Sequence, residues 1–302
     1  MPGPRVVVRE LRAEFLTASV IPVLLASAVA HFETGFFDWS LFLLTLFGAA
    51  FLHIGTNVAN DYFDHLSGND PVNIRYIRPF TGGSRLIQEK LLTPKAVLTI
   101  AIVFYAAAVV LGVILTILKG PIIVVFGLAG LISGYFYTAP PIRFAHHGLG
   151  EIVVGLNFGF LIGIGTYYVQ TGAVSRAAIV SAVPLTLLVM AIIIINEFQD
   201  READAGVGKR TLVVRLGLRR SVPLFAIVSL AAYFPIVVGV RMGHFPSFAL
   251  LGLVPLPITV AAILRAQNYY NSPKKLAPAN AAAILSHALT GILLAGGFLL
   301  GG

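Results

Sequence analysis

Asn57-x-x-x-Asp61 and Asn196-x-x-x-Asp200 repeat one Asn/Asp pattern at an offset of 139 residues. Each pair stands where a long apolar run gives way to polar sequence. Asp61, Asp64 and Asp70 gather at the first; Glu197, Asp200, Glu202 and Asp204 gather at the second. Seven of the 13 acidic residues thus lie at two places in an otherwise apolar chain. Oxygen ligands concentrated in this way suit a hard divalent cation, and Mg²⁺ is commonly held by one or two carboxylates plus substrate phosphates. The chemistry to expect is cation-assisted handling of a phosphorylated substrate.

Helical spacing organises these residues further. Positions three, four and seven apart share a face, which groups Asn57, Asn60, Asp61 and Asp64 and places His53 one turn deeper. Asn196, Asp200 and Asp204 form a second row, with Glu197 within reach of it and Glu202 off it. Both asparagines begin inside apolar sequence, which argues against two solvated helix ends carrying ordinary loop acids. Charged groups in a membrane helix are costly and are functional by default. After the second row, Gly206-Val207-Gly208-Lys209-Arg210-Thr211 can bring backbone N–H groups and cations to a phosphate. It lacks the Walker A spacing. His53 either lines an acceptor side of the cavity or hydrogen-bonds a neighbouring helix.

The elements that must position these groups are membrane helices. Of the 302 residues, 57% are hydrophobic and 11% charged, against roughly 25% charge in soluble domains, and mean hydropathy is +0.89. A spanning helix needs about 20 predominantly apolar residues. Nine spans are expected, near 15–31, 39–59, 96–118, 121–138, 150–170, 177–197, 221–240, 247–265 and 278–300. The first lacks a signal-peptide cleavage pattern and reads as mature structure. With the N-terminus cytoplasmic and the C-terminus outside, only Lys119, Arg176 and Arg241 of the 21 Lys and Arg residues fall outside, as the positive-inside rule requires. Both acidic rows then face the cytoplasm, and the chain reads as an integral protein of the cytoplasmic membrane. The net charge of +8 follows from that rule plus an anionic ligand, with no call for nucleic acid. The absence of cysteine excludes disulfides, thiolate metal sites and cysteine nucleophiles.

Residues 1–302 read as one all-α polytopic membrane domain. The motif offset implies two pseudo-repeated bundles, about 1–138 and 150–265, with the final helix 278–300 left over. The loops 61–95 and 198–220 are long, and long loops in compact domains are functional or disordered. Their Gly-Gly, Arg, Asp and Thr content suits ordered caps over a site.

The residues resemble the UbiA superfamily of intramembrane prenyltransferases along nearly the whole chain. The resemblance rests on Asn60-Asp61-Tyr62-Phe63-Asp64 with Asp70, and on Asp200-x-x-x-Asp204. It also rests on the tail from Gly208-Lys209-Arg210-Thr211 to Leu216-Gly217, and on Tyr135-Phe136-Tyr137-Thr138-Ala139-Pro140-Pro141 followed by Gly148-Leu149-Gly150-Glu151. The third acid, Asp70, stands six residues after Asp64, and Arg143 stands where the family more often has lysine. Thr81-Gly82-Gly83-Ser84-Arg85 and the Lys-Arg-Thr tail look most like the naphthoate prenyltransferases of menaquinone synthesis. Arg78-Pro79-Phe80-Thr81-Gly82 partly echoes enzymes that prenylate geranylgeranylglyceryl phosphate.

The resemblance implies nine helices around a cavity open to lipid, with Mg²⁺ (two ions, Mn²⁺ being the alternative) holding a polyprenyl diphosphate. Asp61, Asp64, Asp70, Asn196, Asp200 and Asp204 would be the metal ligands. Asn57, Asn60, Arg78, Arg143, Lys209 and Arg210 would contact the diphosphate. Tyr137 would face the allyl cation, although an interfacial anchoring role suits it equally, and His53 and Tyr62 would line the acceptor side. The acceptor would be an aromatic quinone precursor such as 1,4-dihydroxy-2-naphthoate, or a lipid phosphate, and membrane lipids would surround the chain. An ion-coupled transporter is the reading from another class.

Overall fold

A computed structural model describes residues 3–302. Among them every regular element is helical. In chain order these are α1 (Pro4–Glu10), α2 (Thr17–Thr34), α3 (Trp39–Ser67), α4 (Asn69–Val72), α5 (Pro94–Lys119), α6 (Ile122–Tyr135), α7 (Gly150–Gly155), α8 (Ile162–Thr171), α9 (Arg176–Gly206), α10 (Leu212–Leu216), α11 (Leu218–Ala231), α12 (Phe234–Arg241), α13 (Leu256–Tyr269) and α14 (Pro273–Leu300). A π-helical turn, Leu156–Leu161, joins α7 to α8 and makes the three one continuous rod.

Eight of these rods are long and apolar enough to cross a membrane, among the described residues. They match the expected spans except the fourth. In place of a span over 121–138, α6 is a helix of 14 residues, about 21 Å long at 1.5 Å per residue. It stops because Pro140 and Pro141 lie just ahead, and a proline restricts both its own backbone and the residue before it. Both acidic rows belong to helix rather than to loop, since α3 runs on through Asp64 to Ser67 and α9 through Asp204 to Gly206.

Local signals fix the two long motif helices. The Asp38 carboxylate accepts from the Leu41 N–H at 2.9 Å to start α3, and Ser175 caps α9 through the Ala178 N–H at 3.0 Å, each satisfying an orphan first-turn donor. Gly68 ends α3 in the left-handed region at φ 81°, a conformation that favours glycine. It turns the chain so that α4 crosses toward α9.

α9 is central: 61% of its apolar window is buried, against 17% for α5. Leu185, Ile194 and Ile195 of α9 are almost fully enclosed. By contrast Ile117, Val103 and Val113 of α5 are exposed, a surface that requires an apolar surrounding. The half-buried polar positions of α3, α6 and α9 line the space between these helices.

Candidate active site

The site is one cavity of about 560 Å³, polar at the end where α3 and α9 carry their acids and apolar along the rest. From α3, Asn57, Asn60 and Asp64 reach its wall; from α9, Asn196, Glu197, Asp200 and Asp204 do. Asp70, Tyr137 and Lys209 join them. The two motifs, 139 residues apart in sequence, therefore face one space.

Lys209 stands between the two rows. Its Nζ lies 3.3 Å from Asp204 and 3.7 Å from Asp64. Burial works against the ammonium, but Asp204 and Asp64 outweigh it and hold its pKa well above the ordinary lysine range. Asn60 Nδ2 donates to Asp64 at 3.2 Å. The short helix α4 and its C-terminal cap supply two amides that the sequence did not single out. Asn69 Nδ2 donates to Asp204 at 3.0 Å, and Asn73 Nδ2 donates to Asp200 at 2.7 Å. Asn69 and Asn73 stand four apart on either side of Asp70, the one signal that could have found them. They latch the first half of the chain onto the second at the acids themselves.

Several expected residues stand elsewhere. Asp61 is buried but lies behind the turn at Gly82 and Gly83, off the cavity wall. It accepts from the Ser84 N–H at 2.9 Å and pairs with Arg12 at 3.8 Å. Tyr62 is a further 100° around the helix and packs against Phe63 and the Leu86–Ile87 core, not in the cavity. Arg78 is exposed and paired with Glu89. Arg143 is exposed in a turn at φ 48°. Arg210 is exposed, because its backbone N–H bonds the His146 carbonyl at 3.1 Å and the side chain projects outward. The cavity takes its second cation from Arg12, which sits at φ 49° between α1 and α2, its guanidinium 4.7 Å from the Phe15 ring centroid. Nothing in the sequence pattern around Arg12 marked it, because its position depends on how α1 folds back over the site.

Electrostatics at the rim follow from burial. Asp70, held by Gln88 at 3.0 Å, is pushed up to about 8 by burial and then by Asp64 and Asp61. Burial also raises the Tyr137 phenol, keeping it neutral. Glu10 of α1 accepts from Ser84 Oγ at 2.6 Å and is pushed up to about 8 by burial and by Asp61. The folded chain thus keeps a proton that an unfolded glutamate releases near 4.5. This contribution to stability is full below about 4.5 and is lost as pH rises to about 8. Glu10→Gln is expected to flatten the fall of Tm between about pH 5 and pH 8 relative to the parent; equal slopes in detergent melts would contradict it.

The donor set fits a magnesium ion. Asp64 Oδ1, Asn69 Oδ1, Asn73 Oδ1 and Glu197 Oε2 are buried without a hydrogen-bond partner, and an orphaned buried oxygen is costly. Among the described residues no three His, Cys, Asp or Glu side chains converge on one point. An ion here would share its shell between one or two carboxylates and non-protein oxygens, which is the magnesium habit.

Residues 19–296 match the UbiA prenyltransferase family. The chain belongs to that family. Among its relatives, the 1,4-dihydroxy-2-naphthoate octaprenyltransferase of Bacillus subtilis (strain 168) is 30% identical over 83% of this chain and 79% of its own length. The 2-carboxy-1,4-naphthoquinone phytyltransferase of Synechocystis is 26% identical over 95% of this chain and 91% of its own. In fold the chain is similar to a UbiA homologue from Archaeoglobus fulgidus solved bound to GPP and Mg²⁺. The TM-score is 0.64 at 18% identity, covering 95% of this chain and 98% of that one. Membership makes this cavity the candidate active site of a UbiA-family prenyltransferase.

Proposed function

We propose that this prenyltransferase moves a prenyl group from a polyprenyl diphosphate to a dihydroxynaphthoate-type aromatic acceptor within the membrane, with the diphosphate held by Mg²⁺. The observation that carries this reading is the convergence of the α3 and α9 acids on one polar cavity end, with Lys209 between them. The apolar remainder of the cavity suits a prenyl tail, and the Bacillus and Synechocystis relatives favour a naphthoate-type acceptor.

Asp64, Asp70, Asp200 and Asp204 would hold two metal ions, one or two carboxylates to each, and the metal when bound would neutralise the leaving diphosphate. Lys209 and Arg12 take up further diphosphate charge, and Asn57 and Asn60 donate to its oxygens. Asn69 and Asn73 keep the Asp204 and Asp200 carboxylates in place. Asp61 anchors the loop at Ser84, and Asn196 is held by Asn280 of α14 at 2.7 Å. Groups already oriented toward developing charge supply the largest catalytic contribution. As the allylic C–O bond breaks, its electron pair goes to the diphosphate. The neutral Tyr137 ring faces the resulting cation. The new C–C bond forms at an acceptor ring carbon, and the displaced proton or carboxyl group leaves its bonding pair to the ring.

In the membrane, α6 would complete nine crossings arranged as two pseudo-repeated bundles plus α14. The acid end and the N-terminus would face the cytoplasm and the C-terminus the outside, which the distribution of Lys and Arg supports. Membranes carrying the protein, given geranylgeranyl diphosphate and Mg²⁺ with dihydroxynaphthoate and geranylgeranylglyceryl phosphate in parallel, are expected to yield the prenylated naphthoate. Excess chelator should reduce the yield to background. Product from the lipid phosphate alone, or an undiminished yield in chelator, would overturn the reading.

A further inference from the structure

Away from the acids, two polar side chains reach the same cavity from different helices, His53 lying two to three turns of α3 before Asp61 and Asp64. His53 of α3 places Nδ1 3.1 Å from Ser19 Oγ of α2. Asn157 of the π-helical turn accepts from Ser133 Oγ of α6 at 3.0 Å through its Oδ1. Both line the cavity. Each has one end fixed by a serine, so the other end is free for a ligand: Nε2 of His53, and the Nδ2 amide protons of Asn157. The two are coupled through Phe158, the neighbour of Asn157, whose ring meets His53 edge-on with centroids 4.4 Å apart.

The surroundings define what such a pair could hold. The walls at this depth are apolar, including Leu52 and Leu161. An amide with unused protons facing such a space is costly unless a ligand oxygen meets it. The two cations that line the cavity are already engaged by acids, Arg12 by Asp61 and Lys209 by Asp64 and Asp204. A flat ring bearing neutral or phenolic oxygens would find an N–H donor in Asn157 and an aromatic edge in Phe158. π-Helical turns cluster at functional sites because the extra residue re-aims side chains, and here the turn carries Asn157 onto the cavity wall beside Phe158.

We propose that His53 and Asn157 form the acceptor subsite, in which the Asn157 amide donates to a ring oxygen of a hydroxylated aromatic and His53 with Phe158 flanks the ring. This rests on the transferase reading above and names the residues that choose the acceptor, separately from those that hold the donor. An N–H bond to a phenolic oxygen also favours the phenolate, the form with the more nucleophilic ring carbon.

The test is steady-state kinetics in detergent, varying 1,4-dihydroxy-2-naphthoate and its monomethyl ethers against saturating geranylgeranyl diphosphate and Mg²⁺. Asn157→Leu is expected to raise the acceptor KM ten- to hundredfold while the donor KM moves less than about threefold. His53→Phe should shift the acceptor KM in the same direction. The parent should discriminate between the hydroxyl and methoxy acceptors, and Asn157→Leu should lose that discrimination for one of the ring oxygens. An active parent whose acceptor KM and methyl-ether discrimination are unchanged in both variants would overturn the subsite alone. A parent that binds the donor with Mg²⁺ yet prenylates no aromatic acceptor would overturn the functional reading and the subsite with it.

Discussion

Asp204→Asn is expected to lower prenyl transfer by about a hundredfold or more, the scale of losing one preorganised charge-stabilising group, while the protein still folds. The carboxylate is almost fully buried and is addressed from both halves of the chain, by Lys209 at 3.3 Å and Asn69 at 3.0 Å. Asparagine keeps its size and one oxygen for Asn69 but removes the charge that holds a cation. Asp64→Asn should cost as much from the opposite wall. The double variant should be little worse than either single one, because groups that act as one clamp are not additive. Rates at saturating donor, with thermal melts to confirm folding, check this. Losses that multiply would mean two independent sites.

The second large effect concerns Lys209. Its ammonium is nearly buried and compensates two carboxylates at once. Removing one partner of a buried pair leaves uncompensated charge and costs about 3–5 kcal/mol. Lys209→Met should therefore melt well below the parent in chelator, and Mg²⁺ with a prenyl thiolodiphosphate should recover part of the loss by binding the folded state. Transfer should remain low even when stability is restored, because the leaving group has lost a cation. An unchanged Tm in chelator would show that Asp64 and Asp204 are not compensated by Lys209.

The membrane helices were legible because bilayer thickness sets the length of an apolar run. Eight expected spans reappear, but α3 and α9 run eight and nine residues past their expected ends to carry the acids, and α6 is shortened by the prolines that follow it. Asn57, Asn60, Asp64, Asp200 and Asp204 were legible because helical spacing puts them on one face. The same spacing overreached at its margins. Asp61 lies on the edge of that face and is taken by the Ser84 N–H, while Tyr62 turns into the core. Basic residues were least legible. Arg78 and Arg210 follow the acidic rows closely in sequence and Arg143 stands in a polar turn, yet all three are exposed. Arg12, far away in sequence, reaches the cavity because α1 folds back. Asn69, Asn73 and Asn157 were missed for a related reason. Their partners are 135, 127 and 24 residues away, so no local pattern encodes them.

On this reading the two acidic rows make one metal-dependent diphosphate clamp. Equilibrium binding of a non-reactive prenyl thiolodiphosphate to the purified protein, with Mg²⁺ and with chelator, tests it most directly. The expected result is tight binding that requires Mg²⁺ and is lost equally in Asp64→Asn and Asp204→Asn. Binding of undiminished affinity in chelator, or its survival in either variant, would contradict the clamp.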